Sequence, residues 1–506
     1  MKHMKKLMAS LLVAVLALAL GSAVALAADP VTHKVSTTST THTYQIYQIF
    51  TGDYDATSHQ LKNLKYGKNA ATGDEGDAVS QADMTALAAI AEKTYANDQA
   101  KITDLKPFVN LTTTPIAQIG KGKESFANLA EGYYIIKDTD NSLEDPETYT
   151  LYIFEVLDAD LTIDPKSGTT ESDKNIAEST PTNTGDYDIG SVIPYSLTLT
   201  LPENYADFKD YYAKFVDDMS GGLTLNTDSV KIHYGATDTE GTPITLSAVS
   251  GTSYADPAGQ KYEYVITDLK QVEAAANLGA GDTVTITYTA TLNSNAVVGE
   301  AGNPNKFHVV YSNNPNETGS GNTNETPDDT NIVFTFETIF NKKDGDGNAL
   351  TGADFKLEKK VGDSWVDVTT LNTENGSSPA KTGSTTTTSG EFTFSGLGQG
   401  DYKLTETVTP TGYNTITPIE FTITAEYEIV QGAGSITSLT GTDGNEFTMT
   451  PDPDAGTLSA DIVNESGTTL PSTGGMGTTI LYIAGAIMVL LAGVYLISKR
   501  RASRED

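Results

Sequence analysis

The chain has 506 residues, with 66 acidic against 32 basic side chains and a formal net charge of −34. Such an acidic surface repels nucleic acid and anionic lipid, which makes a nucleic-acid-binding protein a poor candidate. Cysteine is absent, so disulfides cannot staple the domains of a secreted form, and either the cores alone or another covalent link must hold them.

Residues 1–27 have the layout of a secretory signal peptide, with a basic start, an apolar stretch at residues 11–20 and an Ala-Leu-Ala cleavage site. We therefore predict an exported protein whose mature piece is residues 28–473. Loss of both predicted ends removes seven Lys/Arg and two Asp/Glu, so the net charge falls from −34 to −39. A piece of this length is too long for one core and predicts about three domains.

The first region of the mature piece, residues 28–166, mixes strand and helix patterns. Weak alternation over residues 43–50 predicts a strand, and later apolar runs predict further strands. Residues 81–95 predict a helix, because apolar side chains recur on one face and Ser80 can cap the first turn. Such an apolar face is a core contact and indicates no function.

Two polar, turn-rich stretches, residues 167–185 and 314–330, divide the remainder. Elsewhere in it, apolar residues alternate with Thr and Ser at period two, as in half-buried strands of an antiparallel sheet. Short strands at regular spacing predict β-sandwiches. The predicted fold class is therefore all-β, with tandem immunoglobulin-like sandwiches at residues 28–166, 167–330 and 331–469 and a short helix in the first.

Three signals stand in order at the C-terminus: the peptide LPSTG, the uncharged apolar run 480–497 and a basic tail. The run approaches the roughly 20 residues that span a bilayer, and the basic cluster would stay cytoplasmic. Residues 470–506 resemble the LPxTG cell-wall sorting signal of Gram-positive surface proteins. The resemblance implies that a sortase cysteine cuts after Thr473 and holds its carbonyl as a thioester, which an amine then resolves. The alternative is an ordinary single-span anchor. The motif residues are Leu470, Pro471, Ser472, Thr473 and Gly474.

Three stretches of the last domain resemble the CnaB-type domain of sortase-assembled pilins, and one of them, DYKLTETVTPTGYN, carries the E-box pattern YxLxExxxPxGY. In that family a first-strand lysine bonds to a last-strand asparagine, and the E-box glutamate promotes the reaction. The resemblance implies Lys342, Asn464 and Glu406 for these roles. Lys343 is the neighbouring alternative, and adjacent strand residues face opposite sides, so only one of the two lysines can point inward. The matching stretches are 340–357, 401–414 and 461–467.

The second domain contains SDKN, FVDDMSGGL and YSNNPN, which together look like the CnaA-like middle domain of the same pilins. The resemblance implies Lys174 as the amine, Asp217 as the promoting acid and Asn313 as the amide. Asp218 and Asn314 stay open as alternatives.

The chemistry of such a triad depends on burial. A lysine in an apolar core is costly as an ammonium, so its pKa falls and its amine becomes a nucleophile. A buried carboxylic acid that stays protonated can polarise the amide carbonyl. Attack of the amine on the amide expels ammonia and leaves an isopeptide bond, and the sandwich supplies the effective concentration that free side chains lack.

The first domain departs from this pattern. Its GYYIIKD stretch resembles an E-box strand without the glutamate, and no lysine lies within residues 43–50. We therefore predict no internal cross-link there, and the lowest stability of the three domains.

Polymerising pilins also need an amine to resolve the acyl-enzyme, which in the family is the lysine of a YPK-like motif at the end of the first domain. Pro165 and Lys166 match that motif, and Asp164 replaces the tyrosine. The resemblance implies Lys166 as the linking residue, and a solvated linker lysine is the alternative.

The leading hypothesis is the backbone subunit of a covalent pilus that supports adhesion, with Thr473 joined to Lys166 of the next subunit. Its expected partners are pilus-type and housekeeping sortases, identical and minor pilins, peptidoglycan and an unidentified host surface ligand. The alternative is a monomeric wall-anchored adhesin or minor pilin.

An enzyme is disfavoured, because the histidines are scattered and neither HExxH nor GxSxG occurs. Residues 344–348, DGDGN, hint at a calcium loop. However, Ala349 and Phe355 stand where an EF-hand needs glycine and glutamate, so we predict a β-turn. We expect no cofactor and no metal.

Overall fold

The computed structural model describes most of the chain between residues 31 and 467, together with a short C-terminal helix. The predicted signal peptide, Lys166 and the LPSTG motif lie outside the described residues. The described ranges are 31–39, 41–57, 60–93, 98–139, 149, 151–163, 168–315, 319, 322–375, 380–382, 390–445, 447–467 and 485–495.

The first domain has two sheets and two helices. Its elements are β1 (Thr32–Thr37), β2 (Thr43–Asp55), β3 (Gln60–Tyr66), α1 (Gln81–Glu92), α2 (Asp98–Leu105), β4 (Ala117–Gly120), β5 (Phe126–Ala130), β6 (Gly132–Asp138), β7 (Leu151–Val156) and β8 (Leu161–Ile163). One sheet has the order β5-β1-β8, and the other has the order β3-β2-β6-β7 with β4 also paired to β2.

The sequence predicted α1 but not β1 or α2. The Ser80 hydroxyl accepts a hydrogen bond from the Asp83 amide at 3.1 Å, which is the expected cap. The strand β1 reads THKVST, in which only Val35 is a large apolar residue, so it lacks the alternation that marks a strand. The helix α2 reads DQAKITDL and has too few apolar residues for a clear stripe.

The second domain packs one sheet of order β14-β13-β17-β11-β9 against another of order β10-β20-β18-β12-β16-β15, with β19 on β18. The strands are β9 (Glu171–Ile176), β10 (Thr184–Asp186), β11 (Val192–Thr200), β12 (Ala213–Met219), β13 (Leu223–Tyr234), β14 (Thr242–Pro243), β15 (Ser247–Val249), β16 (Gln260–Ile266), β17 (Thr283–Leu292), β18 (Asn303–Ser312), β19 (Thr323–Glu325) and β20 (Asp329–Phe334). Both sheets contribute to one apolar core, because inward side chains alternate along β11, β17 and β18.

The third domain has sheets of order β24-β25-β21-β30-β29 and β23-β22-β26-β27-β28. Its strands are β21 (Phe336–Asp344), β22 (Asp354–Val361), β23 (Ser364–Asp367), β24 (Ala380–Thr382), β25 (Glu391–Leu397), β26 (Gly400–Val408), β27 (Ile419–Val430), β28 (Ala433–Thr442), β29 (Thr450–Asp452) and β30 (Thr457–Asn464). The first strand, β21, pairs in parallel with the last, β30. The all-β prediction is therefore confirmed, and the sandwich of the third domain places its first and last strands side by side.

Strand β20 belongs to two cores. It pairs with β18 and β10 of the second domain, so the boundary predicted at residue 330 falls inside a strand. Val333 packs in the core of the second domain, whereas Ile332 and Phe334 pack in the core of the third. This division follows from the period of two along a strand, which sends neighbouring side chains to opposite faces.

Residues 485–495 form a helix within the predicted apolar run 480–497, and the remainder of that run lies outside the described residues. Within the described part of the chain, no helix is long and apolar enough to cross a membrane.

Candidate functional site

The first candidate site lies in the third domain, where β21 turns Lys342 into the core. Phe336, Thr338, Phe340 and Lys342 alternate on the buried face of this strand. Lys343 therefore points outward, where its ammonium pairs with the Asp461 carboxylate at 2.6 Å. The tertiary packing thus selects Lys342 over the neighbour that the sequence left as an alternative.

Lys342, Glu406 and Asn464 are brought together by β21, β26 and β30, and their exposed fractions are 0%, 6% and 0%. The Asn464 Nδ2 donates to both carboxylate oxygens of Glu406, at 2.8 and 3.1 Å. The Lys342 Nζ donates to the backbone oxygens of Ile462 and Lys343, at 2.9 and 3.0 Å. The Asn464 Oδ1 is buried without a hydrogen-bond partner among the described residues.

The electrostatics of this cluster favour a neutral amine. Burial lowers the pKa of the Lys342 ammonium to about 8, although the nearby carboxylates of Glu406 and Asp344 oppose the shift. The ammonium still predominates at pH 7, but the fraction of neutral, nucleophilic amine is far larger than for a solvated lysine. The Glu406 carboxylate is held in place by the Ile416 amide at 3.0 Å.

The second candidate site lies between the two sheets of the second domain. Lys174 on β9 is completely buried, and its ammonium donates to the Asp217 Oδ1 and, at 3.3 Å, to the Tyr288 hydroxyl. The Tyr288 hydroxyl donates in turn to the Asp217 Oδ2 at 2.8 Å. Burial lowers the pKa of Lys174, although the negative charge of Asp217 opposes the shift.

Asp218, the alternative to Asp217, lies outside this cluster. Its carboxylate accepts hydrogen bonds from the Thr252 hydroxyl at 2.6 Å and the Ser253 amide at 2.7 Å. Asp217 and Asp218 are neighbours on β12 and face opposite sides of the sheet. Asp218 therefore orders a loop, and Asp217 is the acid that reaches Lys174.

The structure does not bring Asn313 to Lys174, and this corrects the predicted triad. On the paired strands β12 and β18, Asp217 lies opposite Phe307 and Ala213 opposite Tyr311. Asn313 therefore lies roughly 20 Å along the sheet from Asp217, at about 3.3 Å per residue. The alternative Asn314 follows it in the chain and is excluded in the same way.

Asn305 occupies the place that the prediction gave to Asn313. Its side chain is fully buried, its Nδ2 donates to the Tyr288 hydroxyl at 2.8 Å, and its Oδ1 has no partner among the described residues. Asn331 is a second buried amide, but it donates to the main-chain oxygen of Lys174 at 3.1 Å. The alternation of Asn303, Asn305 and Phe307 on the buried face of β18 was the sequence signal that could have found Asn305.

The first domain places its first-strand lysine on the surface. Lys34 of β1 is exposed, and its ammonium lies over the Phe126 ring at 4.5 Å from the centroid. The buried polar side chains among the described residues of this domain do not include a lysine; they are His42, Asn69, Asp138 and Glu155. The absence of a cross-link in this domain stays a prediction.

The segment that hinted at calcium forms a turn. The Asp344 Oδ1 accepts hydrogen bonds from the amides of Asp346 and Asn348, at 3.0 and 2.8 Å. The Gly347 amide donates to the main-chain oxygen of Asp344 at 3.0 Å. The carboxylate is thus engaged by its own turn.

These observations define a class of protein: tandem β-sandwiches with a lysine, a carboxylic acid and an asparagine enclosed in the core. Family models match three successive parts of the chain. Residues 189–315 match a Gram-positive pilin backbone subunit 2, Cna-B-like domain, residues 337–433 a prealbumin-like fold domain, and residues 462–503 an LPXTG cell wall anchor motif. The description Cna-B-like differs from the CnaA-like middle domain that the sequence motifs had suggested.

A curated relative is the trypsin-resistant surface T6 protein of Streptococcus pyogenes serotype M6, which is 27% identical over 378 residues. The match covers 62% of this chain and 65% of the relative's length. The family matches and this relative support a backbone pilin of a Gram-positive pilus with an LPXTG cell wall anchor and a location at the cell surface.

Two solved structures are similar to the chain. The T6 backbone pilin of serotype M6 Streptococcus pyogenes, described as a modular three-domain structure, has a TM-score of 0.50 at 19% identity and covers 88% of this chain and 100% of its own. The full-length major pilin SpaD from Corynebacterium diphtheriae has a TM-score of 0.47 at 16% identity, with 87% and 98% coverage. The first likeness supports the modular fold.

The lowered pKa of Lys342 predicts a pH dependence in a variant that keeps its amine free. In Asn464→Ala, Lys342 has no amide to attack. The pKa of Lys342 falls on folding from 10.5 to about 8, so between these pH values the unfolded chain binds more protons and the free energy of unfolding rises with pH. Urea titrations of Asn464→Ala should show the free energy of unfolding rising above about pH 8. Below about pH 7, Lys342 should contribute no change with pH.

The matched control is the double variant Lys342→Met, Asn464→Ala, which has a similar side-chain volume but no amine. Its free energy of unfolding should lack the contribution of Lys342 to the rise. An equal rise in both proteins would show that other groups cause it.

Proposed function

We propose that this protein is the structural shaft subunit of a covalently polymerised pilus, stabilised by one lysine–asparagine isopeptide bond in each of its second and third domains. The observation that carries the proposal is the complete burial of Lys174 and Lys342, each close to a carboxylic acid and an asparagine amide. A soluble protein that needed only a stable core would place apolar residues at these positions, because burying an ion pair gives little net stability.

The proposed reaction in the third domain joins Lys342 to Asn464. The neutral amine of Lys342 attacks the side-chain carbonyl carbon of Asn464, a new C–N bond forms, and the amide nitrogen leaves with the displaced proton as ammonia. A half-turn of the Asn464 amide presents its carbonyl oxygen to Glu406, whose carboxyl group polarises it and relays the proton. The packed core holds these groups together and excludes water.

The proposed reaction in the second domain joins Lys174 to Asn305, with Asp217 as the acid. Transfer of a proton from Lys174 to Asp217 along their hydrogen bond leaves two neutral groups, which cost less to bury than two ions. Tyr288 connects the three participants, since its hydroxyl contacts the lysine, the aspartate and the asparagine.

The proposed bonds lie where a pulling force would act. Lys342 and Asn464 lie on the first and last strands of the third domain, so tension that enters at one would pass through the bond to the other. Lys174 and Asn305 lie on opposite sheets of the second domain, so their bond would prevent the sheets from separating. Such links would serve the role that disulfides have in other secreted proteins.

Assembly would use the C-terminal motif. A sortase would cut between Thr473 and Gly474, and the Lys166 amine of a neighbouring copy would take the Thr473 carbonyl in an isopeptide bond. Transfer to peptidoglycan, contact with minor pilins and adhesion to a host ligand are parts of the same proposal.

The two internal bonds predict the intact mass of the fragment 28–473. Each bond releases one ammonia, so the mass should lie about 34 Da below the sum of the residues. Lys342→Ala, Asn464→Ala, Lys174→Ala and Asn305→Ala should each lose only about 17 Da.

Asn313→Ala and Asn331→Ala are the matched asparagine controls, and both should keep the full loss of mass. A wild-type mass equal to the sum of the residues would refute both bonds. If Asn305→Ala kept both bonds and Asn313→Ala or Asn331→Ala lost one, the asparagine whose loss removed the bond would be the partner of Lys174.

Tyr288 should be needed for the bond of the second domain. Tyr288→Phe removes the hydroxyl that contacts Asp217 and Asn305, so we expect a lower fraction of the Lys174–Asn305 cross-linked peptide in a proteolytic digest. Tyr195→Phe is the control, because the Tyr195 ring stacks on Tyr288 but its buried hydroxyl has no partner among the described residues. Equal fractions in both variants would show that the Tyr288 hydroxyl is dispensable.

Polymerisation predicts a ladder of covalent oligomers in detergent-boiled cell-wall extracts. Lys166→Ala should abolish the ladder and leave monomer, because it removes the proposed amine. Lys123→Ala, which changes an exposed lysine of the same domain, should leave the ladder intact. A persistent ladder in Lys166→Ala would refute this lysine, and monomer alone in the wild type would favour a monomeric wall-anchored adhesin.

A further inference from the structure

A segment of the second domain, residues 184–191, makes backbone and side-chain contacts with the third domain. Its first part, β10, pairs in parallel with β20. The Tyr187 amide then donates to the Phe334 oxygen at 3.1 Å, and the Ile189 amide donates to the Gly396 oxygen at 2.9 Å. The segment thus reaches residues 396–400, the turn that leads into β26.

The two carboxylates of this segment bind successive backbone amides of that turn. The Gly398 amide donates to the Asp188 Oδ1 at 2.8 Å, and the Gln399 amide donates to the Asp186 Oδ1 at 2.5 Å. The Gln399 side-chain amide also donates to the Asp186 Oδ2 at 2.7 Å. The turn donors are therefore satisfied by acids that belong to another domain.

Side chains of the third domain complete these contacts. The Lys359 ammonium pairs with the Asp188 Oδ2 at 2.6 Å, and both side chains are 12% exposed. The Tyr402 hydroxyl lies 3.3 Å from the Asp188 Oδ1. The Tyr427 hydroxyl donates to the Asp186 Oδ2 at 2.8 Å.

The turn is shaped to receive the segment. Gly396 has a φ of +81°, and a Cβ at that position would lie 2.3 Å from the Ile189 Cδ1. A side chain there would both strain the backbone and displace Ile189. Gly396 therefore allows the third domain to pack closely against residues 186–189 of the second.

These contacts lead to the proposed reaction site of the third domain. Tyr402, Leu404 and Glu406 alternate on the buried face of β26. Lys359 lies opposite Tyr402 in the β22–β26 register, so Asp188 holds both strands of that pair at the start of β26. Glu406 follows Tyr402 by four residues on the same face, about 13 Å further along β26.

We propose that Asp186 and Asp188 of the second domain are positioning residues for the Lys342–Asn464 cross-link of the third. The proposal rests on the cross-link proposed above. It implies an order of maturation: the second domain folds first, its acidic segment anchors the start of β26, and the bond of the third domain then forms.

The experiment follows bond formation in newly made protein. The fragment 28–473 is synthesised in a cell-free system, samples are quenched in acid denaturant at intervals, and both cross-linked peptides are quantified by mass spectrometry. The Asp186→Ala, Asp188→Ala double variant should form the Lys342–Asn464 bond about tenfold more slowly or worse, because small misplacements of reacting groups carry large rate costs. The Lys174–Asn305 bond in the same molecules should form at the wild-type rate.

Conservative and control variants separate positioning from loss of folding. Asp186→Asn with Asp188→Asn keeps the acceptor oxygens for the turn amides and should restore most of the rate. Asp401→Ala removes an exposed carboxylate on β26 that contacts only the Thr422 hydroxyl at 2.7 Å in the described structure, and it should form both bonds normally. A Lys342→Ala background, in which no bond can form in the third domain, should show by near-ultraviolet circular dichroism that the double alanine variant remains folded.

The outcomes distinguish the two proposals. No Lys342–Asn464 peptide in the wild type would refute the cross-link itself. A wild-type bond that forms at an unchanged rate in the double alanine variant would refute the positioning role and leave the cross-link intact. An unfolded third domain in the Lys342→Ala background would likewise overturn a positioning role, since the acids would then act on folding alone.

Discussion

A lysine ammonium in a dry protein interior costs several kcal/mol unless it is paired or loses its charge. This constraint applies to Lys174 and Lys342, because each is completely buried. Burial accordingly lowers the pKa of each amine. The surrounding side chains are arranged accordingly. Asp217 and Tyr288 surround the first lysine with polar partners, and main-chain oxygens together with Glu406 surround the second. A buried lysine adds little to the stability of a core, but burial makes its amine a better nucleophile.

The two sites place the lysine and the asparagine on different pairs of strands. In the third domain the lysine and the asparagine lie on adjacent parallel strands, β21 and β30. In the second domain they lie on opposite sheets, on β9 and β18. A covalent link in the first geometry would join two neighbouring strands of one sheet, whereas a link in the second would join two facing sheets. The shared strand β20 and the acidic segment 186–189 then join the two sandwiches.

Several features of the sites followed from local pattern. The E-box pattern carries Glu406, and the resemblance to the family implied Lys342 while leaving Lys343 open. Asn305 was missed, because the YSNNPN motif drew attention to Asn313 and because no local pattern reports which residue of β18 lies near Asp217. The helix α2 and the strand β1 were missed for a related reason: few of their residues are apolar. Strand pairing stabilises β1, and core packing of Ile102 and Leu105 stabilises α2.

The sequence by itself determined the anchoring signal, the all-β class, the likeness to pilins and Lys174 and Lys342 as the lysines of the candidate sites, with Lys343 left open as an alternative to Lys342. These properties are local, since they depend on composition, on periodicity or on a contiguous motif. Tertiary structure alone decided that Asn305 rather than Asn313 shares the Tyr288 hydroxyl with Lys174, that β20 contributes to two cores and that Asp186 and Asp188 contact the third domain. Register between strands far apart in the chain depends on the packing of whole sheets, and no single stretch of residues encodes it.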